Sequence, residues 1–185
     1  MTAAEYENTS ANLAELGYRP RVVSGYAIDG VAHYAAAWEL DEHGLPWQAR
    51  HGLTPAQYQT ALDQMDAQGY RLVQVCGYQV NLDVFYAAIW ERRAGPAWQT
   101  RYGLTESAYR SAMDDLTGQG YRLTWVSGYS HGGRARYAGI WELGPGPAWQ
   151  TRHGLDAAAC QLTADQLAAQ GYAPVQLAGY GDGFV

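Results

Sequence analysis

The residues best suited to chemistry in this sequence form one motif that occurs three times, at intervals of 51 residues. Its copies read WQARHGL from residue 47, WQTRYGL from residue 98 and WQTRHGL from residue 149. Histidine beside arginine can transfer protons, so one interpretation is an enzyme with an active site between repeats. This alternative site comprises Trp47, Arg50, His51, Trp98, Arg101, Tyr102, Trp149, Arg152 and His153.

Tyrosine in the second copy favours a structural role for this motif instead. Tyr102 stands where the other two copies have histidine. A group required for proton transfer or metal ligation is not expected to alternate with tyrosine. We therefore interpret the motif as a framework loop whose arginines form forked ion pairs with preceding glutamates. The residues concerned are Arg50, Arg101 and Arg152 with Glu39, Glu91 and Glu142.

Motifs for other chemistry are missing from the sequence. It contains no glycine-rich phosphate loop, no dinucleotide fingerprint and no Gly-x-Ser-x-Gly elbow. All 12 basic residues are arginine, which excludes a Ser-x-x-Lys nucleophile pair, and the histidines and cysteines lack metal-ligand spacing. The sequence therefore favours a protein that is not an enzyme and uses neither a cofactor nor a metal.

Charge and hydropathy restrict the partners and the compartment. The net charge is −6, and no basic stripe is present, so binding to nucleic acid or to an anionic membrane is not expected. No apolar stretch is long enough to span a bilayer, and the N-terminus lacks the features of a secretory signal. Cys76 and Cys160 are predicted to be buried free thiols. These features predict a cytoplasmic protein, although a domain excised from a secreted chain would look the same.

The whole sequence is built from a repeat of about 51 residues. Gly-Tyr pairs recur at 17, 69, 120 and 171, and again at 25, 77, 128 and 179. We divide this single repeat domain into units 1–53, 54–104, 105–155 and 156–185, of which the last is incomplete.

Local signals predict a helix and two strands in each unit. In the second unit, Thr54 to Gln57 form a capping box with proline at the first helical position, and apolar residues follow at helical spacing. Two stretches rich in β-branched residues, 71–78 and 85–91, flank a turn sequence and predict a hairpin. The prediction is an α+β fold of tandem helix–strand–strand units, with helices covering antiparallel hairpins in a curved or ring-like array.

Aromatic residues mostly occur at repeated positions, which favours packing over ligand binding. The hairpin tips, by contrast, read IDGVAH, VNLDVF and SHGGRAR, and variable loops on a constant frame are where repeat proteins place recognition. Trp125 also breaks the pattern of its column. We therefore predict a module that binds a protein or polysaccharide through Asp29, His33, Asn81, Asp83, Phe85, Trp125, His131, Arg134 and Arg136.

The fourth unit stops after GYAPVQLAGYGDGFV, without its second strand. Its last strand would then be an exposed sheet edge. Three alternatives follow: another copy pairs with it in a homo-oligomer, the first unit closes a ring, or the natural chain continues.

Three blocks of sequence, GYRL-x-x-V-x-GY, YAAIWE and GPAWQ-x-R-x-GL, carry a resemblance that covers nearly the whole chain. They resemble the bacterial tandem repeat domain, which is similar to the N-terminal repeat region of fungal polyglycine hydrolases. The resemblance implies that catalysis in those hydrolases belongs to a separate β-lactamase-like domain with a Ser-x-x-Lys pair. No catalytic residue can therefore be carried over to this chain. The resemblance also implies a repeat scaffold and a role in recognising a protein or glycan.

Overall fold

The structure, a computed structural model, describes residues 1–42 and 44–181. Within these ranges the chain forms four α-helices and eight β-strands. The helices are α1 (Ala3–Glu15), α2 (Pro55–Ala67), α3 (Glu106–Gly118) and α4 (Ala157–Ala169). The strands are β1 (Tyr18–Ile28), β2 (Val31–Leu40), β3 (Trp47–Leu53), β4 (Arg71–Val80), β5 (Asp83–Glu91), β6 (Trp98–Leu104), β7 (Tyr121–His131) and β8 (Arg134–Leu143).

Each helix begins where the capping signals place it. The Thr54 hydroxyl accepts a hydrogen bond from the Gln57 amide, and the Gln57 side chain accepts one from the Thr54 amide. Reciprocal bonds of this kind satisfy two donors that the first helical turn leaves free. Gly69 ends α2 with φ of 78°, a left-handed conformation that glycine adopts without strain. The predicted helices are confirmed.

The strands form three antiparallel sheets. β1 pairs with β2, and the two larger sheets have the orders β3-β5-β4 and β6-β8-β7. Hairpins turn at Asp29–Gly30, Asn81–Leu82 and Gly132–Gly133, which confirms the predicted hairpins. The order places one strand of each hairpin, β5 or β8, in the middle of its sheet. We call the flanking strands β3 and β6 outer and the strands β1, β4 and β7 inner.

The prediction that the Trp-Gln-x-Arg motif is a loop is wrong for its first two copies. Residues 47–53 and 98–104 are the outer strands β3 and β6, and Trp47 pairs with Glu91 while Trp98 pairs with Glu142. Each outer strand therefore pairs with the middle strand of the following unit. The third copy, 149–155, is not a strand, because the described residues provide no fourth-unit middle strand for it.

Helices and sheets pack through the repeated aromatic positions. Tyr58 and Met65 of α2 lie against Tyr86 and Trp90 of β5, and all four side chains are buried. Ile140 of the next sheet packs against the same cluster. Burying one tryptophan removes about 150–250 Å² from water. The predicted packing role of these columns is confirmed.

An open cavity of about 540 Å³ lies along the inner strands of the array. Its walls come from β1, β4, β7 and residues 176–181, so the inner segments of all four units face it. Residues 172–181 do not form the regular strand that the sequence predicts. Residues 182–185 of the predicted fourth unit lie outside the described residues.

No helix in the described part of the chain is both long enough and apolar enough to cross a membrane.

Candidate functional site

The three hairpin turns form a single exposed row, which we call the turn row (Asp29–Val31, Asn81–Asp83 and His131–Arg134). Two hydrogen bonds join neighbouring turns. The Asn81 side-chain amide donates to the Gly30 carbonyl at 3.5 Å, and the Gly132 amide donates to the Gln79 side-chain oxygen at 2.9 Å. The structure therefore brings together Asp29, Asn81, Asp83, His131 and Arg134 from the predicted binding set.

Three other predicted binding residues lie below the turns and share one repeat position. His33 stacks on Tyr26 with ring centres 6.1 Å apart, and Phe85 lies 6.1 Å from Tyr78. Arg136 is paired in register with Tyr129. All three are half-buried. His33 and Phe85 therefore pack on a tyrosine of their own hairpin, and all three side chains have limited contact with solvent.

Trp125 is not at a hairpin tip. It lies in the middle of inner strand β7, half-buried against the core of the second unit. Its indole N–H donates to the Val75 carbonyl of β4 at 2.7 Å. The prediction that groups Trp125 with the hairpin tips is therefore wrong. Trp125 instead joins the third unit to the second.

The equivalents of Trp125 make the same connection between other units, which the sequence did not reveal. The Gln74 amide donates to the Val23 carbonyl at 2.9 Å, and the Gln176 amide bonds both backbone groups of Val126. These inner strands are sheet edges with unpaired backbone groups. Glutamine and tryptophan are unlike in shape but both have an N–H at the end of a planar group. That shared donor is the signal that links Gln74, Trp125 and Gln176.

Tyrosine pairs form a second connection between units. The hydroxyl of Tyr78 lies 2.8 Å from that of Tyr34, and that of Tyr129 lies 2.7 Å from that of Tyr86. Burial raises the pKa of Tyr78 and Tyr86 above the ordinary value of 10.0. The hydroxyls therefore stay neutral, and each pair supplies one buried hydrogen bond at a junction between units.

The alternative site is dispersed along the array as three aromatic clusters. His51 packs against Tyr6 and Tyr34, with ring centres 5.0 and 4.6 Å away. Tyr102 and His153 pack in the same way on the next two tyrosine pairs. Histidine and tyrosine are interchangeable here because both present a flat ring edge to the two tyrosines. The three positions join each outer segment to the helix and the second hairpin strand of its own unit.

The arginines of the alternative site do not pair with the glutamates, and that part of the prediction is wrong. Arg50 bonds the Gln64 side chain, while Arg101 and Arg152 bond the glutamine two residues before each of them. The glutamates pair instead with arginines of the inner strands. Arg19 binds Glu39 and Glu91, both at 2.6 Å, and Arg71 binds Glu142 at 3.0 Å.

An open groove of about 530 Å³ lies between α2 and β6. Trp98, Arg101 and Tyr102 line it together with Asp63 and Asp66 of the helix. Burial lowers the pKa of His51 below 6.5, and the nearby Glu7 carboxylate does not offset this because it is 66% exposed. The groove and this histidine belong to different units, so they do not form one acid–base site. Trp47 and Trp149 are both half-buried on their own segments.

Substituting His51 by tyrosine tests whether it is framework. We expect His51→Tyr to fold with unchanged stability at pH 7, because Tyr102 fills the same position one unit later. Since the pKa of His51 is lower in the folded than in the unfolded protein, the wild type loses stability as pH falls from about 6.5 through the folded pKa. The tyrosine variant should lack that loss.

Urea denaturation at several pH values between 5 and 7 measures this difference. The matched control is His33→Tyr, whose ring stacks on Tyr26 next to the first hairpin turn. A His51→Tyr protein that retains the wild-type pH dependence would show that another group is responsible.

No group of three or more histidine, cysteine, aspartate or glutamate side chains that could hold a metal ion occurs among residues 1–42 and 44–181. Both cysteines are free and half-buried.

The same hydrogen bonds and ring contacts recur at each junction, so the chain is a tandem repeat array with an aromatic framework. A family model described as polyglycine hydrolase-like, structural repeat, matches residues 1–40, 44–93, 95–142 and 146–184. The chain therefore belongs to the polyglycine hydrolase-like structural repeat family. The later matched segments begin just before each Trp-Gln pair, which agrees with the pairing of each outer strand with the hairpin that follows it.

Proposed function

We propose that this repeat array is a non-catalytic recognition module that binds a protein through the turn row. The observation that carries the proposal is the row itself: three exposed turns, linked by hydrogen bonds, on a frame that is otherwise nearly identical from unit to unit. Because the turns are linked, their spacing is fixed. A partner can therefore contact several units at once, and no loop of this protein has to become ordered on binding.

The chemistry of the turn row favours a protein over a polysaccharide. Leu82 is 81% exposed and Val31 is 53% exposed, and Asp29 and Asp83 lie beside them. The third turn contains His131 and Arg134, and the Arg134 side chain is exposed. Exposed aliphatic groups gain most from contact with another apolar surface. A row with aliphatic and acidic residues in its first two turns and basic residues in its third fits a protein surface of complementary charge.

Library selection with matched variants tests this proposal. The 185-residue chain is screened against a displayed library of folded protein domains and against a glycan array. We expect a protein ligand whose affinity falls at least about tenfold in Leu82→Ser/Arg134→Ser, as is usual when central interface residues are removed.

The matched control removes the same two residue types elsewhere. Leu16→Ser/Arg110→Ser changes a leucine and an arginine that are both exposed, at the end of α1 and on α3. It should leave binding unchanged. Equal losses in the two double variants, or ligands found only on the glycan array, would contradict the proposal.

A further inference from the structure

The open groove between α2 and β6, about 530 Å³ in volume, is formed by the second unit alone. We call it the α2–β6 groove. Every residue that lines it lies between positions 59 and 102, so it depends on neither end of the chain. Its lining includes Gln59, Asp63, Asp66, Trp98, Arg101 and Tyr102.

The helix and the strand that form the groove run side by side in opposite directions. Near the start of α2, Gln59 accepts a hydrogen bond from the Tyr102 hydroxyl at 2.8 Å. Beyond the end of α2, the Arg71 guanidinium donates to the carbonyl of Pro96, two residues before β6 begins. The last turn of α2 therefore lies beside the first residues of β6. The four strand residues between these ends give the groove a length of about 13 Å.

Two carboxylates lie along the helix side of the groove. Asp63 and Asp66 are three residues apart, which places them on the same face of α2, one turn from each other. One oxygen of Asp63 accepts a hydrogen bond from the Gln59 side-chain amide at 2.8 Å. The Asp66 carboxylate forms no hydrogen bond or ion pair with any residue that the structure describes. One oxygen of Asp63 and both oxygens of Asp66 can therefore accept hydrogen bonds from a ligand.

Most of the side-chain donors that line the groove are already engaged. The Thr100 hydroxyl donates to the Gly139 carbonyl at 2.9 Å. The Arg101 guanidinium donates to the Gln99 side chain and to the Thr100 carbonyl, at 2.6 and 2.8 Å, and pairs with neither aspartate. Two carboxylates and one guanidinium give the lining a net charge of −1. A ligand that matches the groove therefore supplies donors and positive charge.

Trp98 forms an aromatic wall at the Asp66 end of the groove. Its side chain is half-buried and packs against the core of the second unit, so the ring is held in place. A guanidinium is planar, so it can stack on an indole ring and donate two parallel hydrogen bonds to one carboxylate. An ammonium group is a point charge and lacks this fork. A tryptophan beside two carboxylates therefore fits a guanidinium better than an ammonium group.

The aspartate at position 66 is specific to the second unit. Its equivalents are Ala14, Thr117 and Ala168. The repeated packing therefore does not require a carboxylate at this position. Trp98, by contrast, has equivalents in Trp47 and Trp149. The second unit thus adds an unpaired carboxylate beside a tryptophan of the framework.

We propose that the α2–β6 groove binds the side chain of an arginine on another polypeptide. The guanidinium stacks on Trp98 and donates forked hydrogen bonds to Asp66, and a further N–H donates to the free oxygen of Asp63. Sites for free small molecules bury most of the ligand, whereas this open groove leaves room for the partner's backbone outside it. No residue of the turn row lines the groove, so this site is additional to the one proposed above.

The capped peptide acetyl-Gly-Arg-Gly-amide is a direct probe of the groove. It is titrated into the isotope-labelled 185-residue chain and followed by NMR at the indole N–H signal of Trp98, which the Trp98→Phe variant identifies. We expect a saturable shift of that signal. The citrulline peptide, nearly identical in shape but uncharged, should cause no shift, and the lysine peptide should bind at least about threefold more weakly. No shift with the arginine peptide, an equal shift with citrulline, or equal affinity for lysine would overturn the proposal.

The Asp66→Asn variant tests the carboxylate, since Asp66 is exposed and folding does not depend on its charge. Its affinity for the arginine peptide should fall about tenfold, the usual order for a lost bond between charged groups. The matched control is Asp115→Asn, which removes the same charge from an exposed position of α3 outside the groove. Its affinity should equal that of the wild type. Equal losses in the two variants would show that the peptide responds to overall charge, and would contradict the assignment of the site.

Discussion

Replacing Gly77 by alanine is expected to lower the free energy of unfolding by about 3 kcal/mol, the upper range for overpacking a core. A β-carbon on Gly77 would lie 2.4 Å from the ring of Tyr129, closer than any real contact of this kind. The ring cannot move away easily, because Tyr129 is 4% exposed and its hydroxyl lies 2.7 Å from that of Tyr86. The strain therefore falls on the junction between the second and third units.

Gly179→Ala is the matched control, because Gly179 holds the same repeat position and has open space around its α-carbon. Both substitutions reduce the freedom of the unfolded chain to a similar degree. The difference between their urea midpoints therefore measures the steric term alone. We expect Gly179→Ala to change stability by less than about 0.5 kcal/mol. Equal effects of the two alanines would show that the tyrosine–glycine contact does not stabilise the array.

Contacts within a unit could be predicted from the sequence, because they depend on local signals. Thr54 and Gln57 are three residues apart, and the capping box they form needs no other part of the chain. The hairpin turns were found in the same way, from Asn81 and the Gly132–Gly133 pair. Periodicity also identified the aromatic columns as framework before any geometry was known.

Contacts between units could not be predicted, because nothing local specifies them. The strand β3 is stabilised by β5, whose pairing residues lie about 40 positions later, so the isolated motif has the appearance of a loop. Arg71 reaches past its own unit to Glu142, 71 residues away, and sequence proximity suggested the wrong arginines. Trp125 differs in residue type from its equivalents, but it makes the same kind of contact. Its indole N–H donates to a carbonyl of the preceding unit, as the side-chain amide of Gln74 does. The repeated sequence therefore predicts the structure of each unit. The contacts between units can be identified only from the three-dimensional structure.

Replacing Arg71 by alanine is expected to cost about 3 kcal/mol of folding free energy, the lower range for removing one partner of a buried ion pair. Only 9% of the Arg71 side chain is exposed, and its guanidinium donates to both the Glu142 carboxylate and the Pro96 carbonyl. Among the residues that the structure describes, the substitution leaves Glu142, 24% exposed, with only the more distant Arg93 at 3.4 Å. The desolvation of that carboxylate is then poorly compensated.

The Arg122→Ala variant separates the contribution of the ion pair from that of packing by the aliphatic part of the arginine side chain. Arg122 is the equivalent residue one unit later; it is half-buried where Arg71 is buried, and it has no carboxylate partner among residues 1–42 and 44–181. Its removal from the 185-residue chain should therefore cost less than about 1 kcal/mol, measured by the same urea titration. If Arg122→Ala were as destabilising as Arg71→Ala, packing of the stem would explain both losses. A large cost for Arg71 alone would show that ion pairing between units stabilises the array.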